Sequence, residues 1–326
     1  MSPLSLSPPA PPGPAGLTEA EVAHLARYLN PEYLTAATMD KVRRNFRLND
    51  DSMQLAGVLR KDYARRVVAA IKRQDRADGL GDGEVPVRYS VGETEHWVAV
   101  GPPHKHRYLA LRGAPAGDEA GELLWDLREG LLGHPAFAKV LAYISSAELT
   151  ASRGEVRRFR PGLDYTIAHF GQLGYEGHRL DCTLCFVDDS GPMKAQTWEN
   201  DNAGGFESYM EADADNKAED AEVYRRPAKR ARTDGDEDGD GAGGGEGDED
   251  DAPLLSVSAA SNTLNVVLRP PGVLRFVKYV SAAAPGSRWD VSMEFDAVAP
   301  EEASGSDAEG GWEGDGGEGD GGGAEE

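Results

Sequence analysis

A histidine pair is the first group of side chains in the sequence that could bind a metal ion. His104 and His106 are two residues apart in a predicted strand, so both imidazoles would lie on one face. Lys105 and Arg107 add positive charge beside them, and no third ligand follows nearby. We therefore expect two ordinary strand histidines, and a metal site built on the pair stays open as an alternative.

A Cys-x-x-Cys motif is the second such group. Cys182 and Cys185 lie within a run typical of a strand. A spacing of three residues in a strand places the two thiols on opposite faces, where they cannot share an ion or form a disulfide easily. The interpretation is two ordinary strand cysteines in a chain without a disulfide framework, as expected in a reducing compartment.

The elements that would position such side chains are clearest in residues 262–295. Three runs of apolar and polar residues are separated there by Pro/Gly punctuation at 270–272 and 285–286. The third run, 288–295, alternates strictly between apolar and polar side chains. This pattern predicts antiparallel strands joined by tight turns, with one face on a core and the other in solvent.

Helical patterns come before these strands. Thr18 and Glu21 form a capping box, and apolar residues recur at helical spacing in 18–29, 35–47, 61–72, 122–132 and 135–144. Residues 75–84 are expected to form a Gly/Asp loop. Strand patterns predominate from residue 155 onwards. Helices followed by strands indicate an α+β fold.

The net charge of −23 is concentrated in two segments. Residues 234–251 and 300–326 each carry ten acidic residues and no basic one, and the rest of the chain has a net charge of −3. Such compositions are typical of solvated, disordered segments. We predict one folded domain at 17–299, with a disordered leader at 1–16, a disordered insertion at 211–253 and a disordered acidic tail at 300–326.

A basic cluster lies inside the predicted insertion. It comprises Arg225, Arg226, Lys229, Arg230 and Arg232. We interpret it as a nuclear-import signal, with charge balancing as the alternative, so the predicted location is the nucleus and/or the cytoplasm. Acidic neighbours compete for these cations, so no direct nucleic-acid partner is expected. The sequence has neither a secretory signal nor an apolar run of about 20 residues, so no membrane partner is expected.

Several stretches, taken in order between residues 18 and 296, resemble one family. They are Leu29 to Leu34, Ser52 to Leu55, Trp97 with Gly101 to Tyr108, Glu155 with Tyr165 to His169, Trp198 with Gly204 to Tyr209, and Asn262 to Arg269 with Arg288 to Ser292. They resemble the C-terminal, or degradation, domain of the 2-oxoglutarate- and iron-dependent prolyl hydroxylases that modify a small-subunit ribosomal protein. The resemblance implies a double-stranded β-helix, or jelly roll, made of two sheets with supporting N-terminal helices.

The resemblance also implies a division of labour between two domains. In the family, an N-terminal domain uses Fe(II), 2-oxoglutarate and ascorbate to hydroxylate proline, and the C-terminal domain lacks the metal and aids substrate recruitment or regulation. This sequence resembles only the second domain. It is therefore expected to be encoded apart from its catalytic half, or to be a truncated gene product, and to hold no cofactor itself.

The histidines can be compared with the iron site that the family implies. Such a site needs two histidines and one carboxylate, supplied as His-x-Asp/Glu on an early strand and a second His on a late one. His169 lies in the right region, but Gly171 stands at the carboxylate position. No histidine follows His178, and Lys278, near the late-strand position, would repel a cation. Arg288 is the candidate that would bind 2-oxoglutarate, and an ordinary strand arginine is the alternative.

We therefore predict a non-catalytic protein-binding or regulatory domain. By resemblance, its partner is a small-subunit ribosomal protein or a hydroxylase catalytic domain. The expected contact surface is Trp198, Gly204, Gly205 and Phe206, because exposed aromatic residues often anchor interfaces; in the alternative, Trp198 plugs the mouth of the barrel. Two other functions stay open: an active dioxygenase with an atypical site at the histidine pair, and an acidic chaperone of basic proteins.

Overall fold

The computed structural model of the chain describes residues 14–81, 88–168, 176–199, 203–212 and 253–299. Its helices are α1 (Glu19–Leu25), α2 (Ala36–Leu48), α3 (Lys61–Ala77), α4 (Glu119–Asp126), α5 (Pro135–Ser145) and α6 (Pro192–Glu199). A π-helical turn, Leu127–Leu132, continues α4. Thr18 caps α1 in the predicted capping box. One expectation is wrong: α3 extends through Asp75 into the predicted loop.

Eleven strands are present in the described residues. They are β1 (Ser52–Ala56), β2 (Trp97–Val100), β3 (His106–Leu111), β4 (Glu148–Phe159), β5 (Tyr165–Thr166), β6 (His178–Phe186), β7 (Glu207–Glu211), β8 (Leu255–Val257), β9 (Thr263–Arg269), β10 (Val273–Val277) and β11 (Arg288–Val298). A large antiparallel sheet has the order β1-β9-β6-β11-β4-β3-β2, with β5 paired to β3. A small sheet has the order β10-β7-β8.

The last eight strands have the winding of a jelly roll. β4, β11, β6 and β9 are neighbours in the large sheet, and β10, β7 and β8 form the small sheet, with β5 contacting β10. The chain therefore crosses repeatedly from one sheet to the other, which is the double-sheet arrangement of eight-stranded jelly rolls. The predicted fold class, α+β with a double-stranded β-helix, is confirmed.

The prediction that the three runs of residues 262–295 pair with one another is wrong. β9 pairs with β1 and β6, β10 pairs with β7, and β11 pairs with β4 and β6. The strands themselves lie where the alternation predicts them. Their partners are distant in sequence because consecutive strands in this winding belong to different sheets.

The central strands of the large sheet are buried on both faces, which corrects the expectation of one solvent-facing side. On the outer face, the apolar side chains of β11 join a core that also contains Val42 and Phe46 of α2 and Leu141 of α5. On the inner face, the small sheet covers the polar side chains, and every residue of β9 is buried. In β11, Arg288, Asp290 and Ser292 from the polar half of the alternation are buried as well, and Glu294 is partly exposed.

The predicted insertion falls between two strands that pair with each other. Glu207, Ser208 and Tyr209 of β7 lie opposite residues 255–257 of β8. Glu211 is still in β7, and the amide of Ala212 donates to the Gly272 carbonyl at 2.9 Å, so the insertion begins later than residue 211. Residues 213–252, with the basic cluster, lie outside the described residues.

The ends of the chain are described only in part. The acidic tail and residues 1–13 of the predicted leader lie outside the described residues, whereas Pro14–Gly16 form a 3₁₀ turn and Leu17 is buried. Among the described residues, none of the helices has both the length and the apolar character needed to cross a membrane.

Candidate functional site

A cleft of about 510 Å³ opens between the two sheets of the jelly roll. Its charged lining is dominated by guanidinium groups: Arg153, Arg157, Arg179, Arg269 and Arg275, against the carboxylates Glu155 and Glu294. His106, Tyr108 and apolar side chains such as Ile167 and Phe276 complete the wall. The surface of the cleft therefore presents an excess of positive charge to solvent.

The strand register brings these charges together in rows. Arg153 on β4 lies opposite Glu294 on β11, which in turn lies opposite Asp181 on β6. In the next row, Arg179 on β6 lies opposite Arg269 on β9. Paired residues of neighbouring strands share a face, so both rows point into the space between the sheets.

Four arginines converge on Glu294. Arg153 donates to its carboxylate at 2.6 Å, and Arg179, Arg269 and Arg275 approach it at 3.7, 3.6 and 3.8 Å. Burial opposes the ionisation of Glu294, but the guanidinium groups, Arg275 first among them, outweigh burial and lower its pKa. Burial, followed by the like charge of Arg153, lowers the pKa of Arg179. The arginines are thus crowded enough to repel one another.

Arg275 joins the two sheets through the interior. It extends from β10, and its Nε lies 2.7 Å from Oε1 of Glu207 on β7. Its Nη2 donates to the hydroxyls of Thr183 and Ser292 on the large sheet, at 2.5 and 3.1 Å. Burial opposes the ionisation of Glu207, but Arg275 and Arg288 outweigh it and lower the pKa of Glu207 to about 2. Glu207 is therefore an ionised carboxylate held inside the protein.

Two further buried carboxylates lie behind the arginines of the cleft. Asp181 accepts a hydrogen bond from Arg269 at 2.8 Å and lies 3.5 Å from Arg275. Asp290 receives two hydrogen bonds from Arg157, at 2.8 and 3.0 Å. Like Glu207, both are at most 1% exposed. Asp181, Asp290 and Glu207 thus lie beneath the arginines, whereas Glu155 and Glu294 share the lining of the cleft with them.

The structure does not support Arg288 as a cofactor-binding residue. Its side chain is 1% exposed, and its guanidinium donates to the Gly205 carbonyl at 2.5 Å and pairs with Glu207 and Asp290 at 3.2 and 3.1 Å. These contacts lie beneath the cleft. Arg288 was expected on a solvent-facing strand surface, and the small sheet covers that surface instead.

The proposed contact residues are also internal, which corrects the expectation of exposed aromatic side chains. Trp198 is 1% exposed and Phe206 is 7% exposed, and Gly204 and Gly205 are buried. The indole of Trp198 donates to the Asp188 carbonyl at 3.2 Å. Both glycines have positive φ, and a Cβ on Gly204 would collide with the carbonyl of Tyr279. Trp198 packs inside the protein, in a small apolar cluster with Phe159 and Val280.

The histidine pair is not arranged on one face of a strand. His104 lies in the exposed turn before β3, whereas His106 begins β3 and its Nε2 lies 3.0 Å from the Gly101 carbonyl. Within the part of the chain that the structure describes, no group of three or more His, Cys, Asp or Glu side chains could hold a metal ion. His169 lies outside that part.

The residues around the cleft do not fit Fe(II). Its charged lining consists mostly of guanidinium groups, which repel a metal cation and cannot coordinate it. Lys278, which follows β10, has its ammonium group 5.8 Å from the ring of Phe206. The chemistry available in the described cleft is the binding of anionic groups.

The two cysteines lie on opposite faces of β6, as their spacing predicts. Cys182 belongs to the main apolar core, and Cys185 packs in the smaller cluster with Trp198. Both are buried and unbridged, and burial raises the pKa of Cys182 and raises that of Cys185 to about 12. They are packing residues with protonated thiols.

The interpretation of the sequence missed the charged interior. The sequence patterns do not predict buried ion pairs for these charged residues: Glu207, Asp181, Asp290, Arg269 and Arg275. A signal was present, since four of the five lie within predicted strands, where each charged side chain needs solvent or an opposite charge. Whether these side chains face solvent or an opposite charge depends on the position of the second sheet, which the alternation does not predict.

Together, the two wound sheets and the cleft between them define a double-stranded β-helix protein with an arginine-lined interior. Residues 20–303 match the family described as oxoglutarate and iron-dependent oxygenase degradation C-term, and the chain belongs to that family. This confirms the family predicted from the sequence.

One curated relative is the prolyl 3,4-dihydroxylase OGFOD1 of Ostreococcus tauri, which is 31% identical over 279 residues. The match covers 84% of this chain and 48% of the relative, so the chain spans about half the length of the relative. The chain is thus homologous to part of a prolyl hydroxylase.

Two solved structures are also similar. A Pseudomonas putida prolyl-4-hydroxylase is 13% identical with a TM-score of 0.39, and covers 79% of this chain and 98% of its own. A Trichoplax adhaerens prolyl hydroxylase, solved with a peptide of the hypoxia inducible factor oxygen degradation domain, is 9% identical with a TM-score of 0.40. The match covers 81% of this chain and 95% of that hydroxylase. At these scores the superpositions carry no argument, and the assignment rests on the family match and the strand winding.

Proposed function

We propose that this chain is a non-catalytic protein-binding domain that recruits the substrate of a prolyl hydroxylase or regulates that enzyme. The observation that carries the proposal is the content of the space between the sheets. An ion-paired network of arginines and carboxylates occupies it, and the open side of that network is positively charged. Such a surface is suited to acidic side chains of a protein partner.

The proposed partner is supported by the family resemblance, and the proposed location by the basic cluster within residues 225–232. The partner is a small-subunit ribosomal protein or a hydroxylase catalytic domain, in the nucleus and/or the cytoplasm. Fe(II), 2-oxoglutarate and ascorbate serve the catalytic domain of the enzyme, and this chain contributes binding. The partner contacts the cleft through carboxylates that approach the exposed guanidinium of Arg153.

A binding experiment with charge-matched variants tests this function. The full chain is immobilised, and each candidate partner is passed over it in a biosensor. Arg153→Gln/Arg179→Gln removes two positive charges from the cleft. Lys41→Gln/Arg44→Gln removes two from the exposed surface of α2, on the other side of the large sheet. We expect the cleft variant to weaken partner binding tenfold or more and the α2 variant to leave it within twofold.

Catalysis is tested separately on the same protein. The full chain is titrated with Fe(II) under anaerobic conditions and then assayed for succinate with 2-oxoglutarate, oxygen and a proline-containing peptide. We expect neither stoichiometric binding of Fe(II) nor succinate above the protein-free control. Succinate formation that His104→Ala/His106→Ala abolishes would establish an active dioxygenase and overturn the proposal. Equal partner binding by the two charge variants would remove the cleft as the contact surface.

A further inference from the structure

Three neighbouring arginines line the charged cleft on the large sheet, and we call them the arginine rim: Arg153, Arg179 and Arg269. They lie on three different strands, β4, β6 and β9, and surround the single carboxylate of Glu294. Their side chains are 54%, 14% and 5% exposed. The rim therefore extends from the surface into the cleft.

The layering of charge makes the rim attractive to a further anion. Asp181, the buried carboxylate nearest the rim, pairs with Arg269 on the inner side, away from solvent. Burial, followed by the like charge of Arg153, lowers the pKa of Arg179. A second carboxylate arriving from solvent would meet several guanidinium groups within a partly desolvated site, where charge-assisted hydrogen bonds are strongest.

The other wall of the cleft is apolar. Ile167, just after β5, and Phe276 on β10 face the same space as the rim arginines. A ligand that combines carboxylates with an aromatic ring would match both walls, since aromatic rings pack against apolar side chains and against guanidinium groups.

The C-terminal segment of this chain has that chemistry. Residues 300–326 carry ten acidic residues, no basic residue and one tryptophan, Trp312, with Asp307, Glu309 and Glu313 close to it in the sequence. β11 ends at Val298, two residues beyond Asp296, which lies directly opposite the rim residue Arg179. The segment therefore leaves the large sheet beside the rim.

The length of the tether allows the contact. Trp312 lies thirteen positions after residue 299, and an extended chain spans up to about 43 Å over thirteen steps at ~3.3 Å each. A peptide tether of this length gives an effective concentration on the order of millimolar, so even weak electrostatic attraction would be sufficient for occupancy.

We propose that the acidic segment around Trp312, residues 307–313, binds in the cleft against the arginine rim. The carboxylates of the segment pair with the rim, and the indole packs on the apolar wall. The cleft is thus a binding site for an acidic, tryptophan-containing peptide, and this chain supplies one itself. If the proposed function holds, the segment competes with the protein partner for the cleft, and this regulatory consequence rests on that function.

A competition experiment on the full chain tests the proposal without any partner. A fluorescein-labelled peptide of residues 304–318 is titrated with the protein, and its anisotropy gives a Kd. Two full-length variants are compared with the unaltered chain. One has the ten acids of 300–326 replaced by Asn or Gln. The other has the ten acids of 234–251 replaced in the same way, and so carries the same change in charge.

Neutralising 300–326 should tighten peptide binding about tenfold or more, because the tethered competitor is lost. Neutralising 234–251 should change the Kd less than twofold. In the chain neutralised at 300–326, Arg153→Gln/Arg179→Gln should weaken binding at least tenfold, and Lys41→Gln/Arg44→Gln should not. Circular dichroism melts identify variants that have lost the fold. If the double variant does not fold, Arg153→Gln alone, at an exposed position, is compared instead and should still weaken peptide binding.

Several results would overturn the proposal. They are an unchanged Kd after neutralisation of 300–326, an equal gain after neutralisation of 234–251, and binding that is indifferent to the rim substitutions. Failure of the labelled peptide to bind any form would do the same. None of these results bears on partner binding, which is measured with the partner present, so the proposed function and this inference can fail independently.

Discussion

The two faces of the large sheet differ in their chemistry although the same strands form both of them. Along β11, Trp289, Val291, Met293 and Phe295 enter an apolar core against the helices. The alternate residues Arg288, Asp290, Ser292 and Glu294 enter a network of ion pairs beneath the small sheet. One strand thus contributes to two interiors, one filled by packed apolar side chains and the other by paired charges.

The difference shows which face serves stability alone. Apolar burial stabilises the fold in proportion to the area removed from water, at about 25 cal/mol per Å². Buried ion pairs are costly to desolvate, and replacing them with apolar residues is often neutral or stabilising. A charged interior that opens into a cleft is therefore better explained by the binding of anions than by stability.

The largest loss of folding stability is expected from removing the carboxylate at the centre of the charged network. Glu207→Gln would leave Arg275 and Arg288 without their shared counter-charge, and removing one partner of a buried pair costs about 3–5 kcal/mol. Urea unfolding at pH 7 measures this. Glu155→Gln, at a carboxylate that is 36% exposed, is the control and should cost less than about 1 kcal/mol. Equal costs would mean that the interior network is as weakly coupled as a surface pair.

A slightly smaller effect is expected on the apolar face of the neighbouring strand. Leu184 on β6 is fully buried in the main core, so Leu184→Ala should cost about 3 kcal/mol through lost burial and the cavity that remains. Leu184→Met keeps the volume and should cost less than about 1.5 kcal/mol. The same urea experiment measures both. A Met variant as unstable as the Ala variant would show that shape, rather than volume, limits this face.

Acid should distinguish the two faces. The pKa of Glu207 is about 2 in the folded protein, below its ordinary value of 4.5, so its contribution is complete above pH 4.5 and is lost as the pH falls towards 2. The contribution is about 3 kcal/mol at ~1.4 kcal/mol per pH unit. The stability difference between wild type and Glu207→Gln should therefore shrink over this range. The difference for Leu184→Ala should stay constant, and a parallel decline would contradict the assignment.

The smallest effect is expected at the edge of the charged face. Arg153 is half-exposed and pairs with Glu294, and such pairs contribute less than about 1 kcal/mol. Arg153→Gln should therefore barely change the urea midpoint at 0.15 M salt, and raising the salt concentration should reduce the difference further. A loss above 2 kcal/mol would show that the rim is structural as well as suited to binding.

Local patterns in the sequence predict much of the fold, and long-range contacts account for what they miss. The alternation of residues 288–295 locates β11 and its apolar face correctly. The same alternation is compatible with solvent or with a second sheet on the other side, so the burial of Arg288 and Asp290 could not be predicted. The pairing of Arg288 with Glu207 spans 81 residues and depends on strand winding that no local pattern encodes. The candidate site was therefore placed at residues that proved internal.

The position of the insertion between β7 and β8 has a consequence for the integrity of the domain. The polypeptide before it supplies β1, β6 and β4 to the large sheet. The polypeptide after it supplies β9, which lies between β1 and β6, and β11, which lies between β6 and β4. In the small sheet the order reverses, and β7 from the first part lies between β10 and β8 from the second. Cleavage of the peptide bond at this point would therefore leave the two fragments associated through their hydrogen-bonded strands. Neither fragment could complete either sheet without the other.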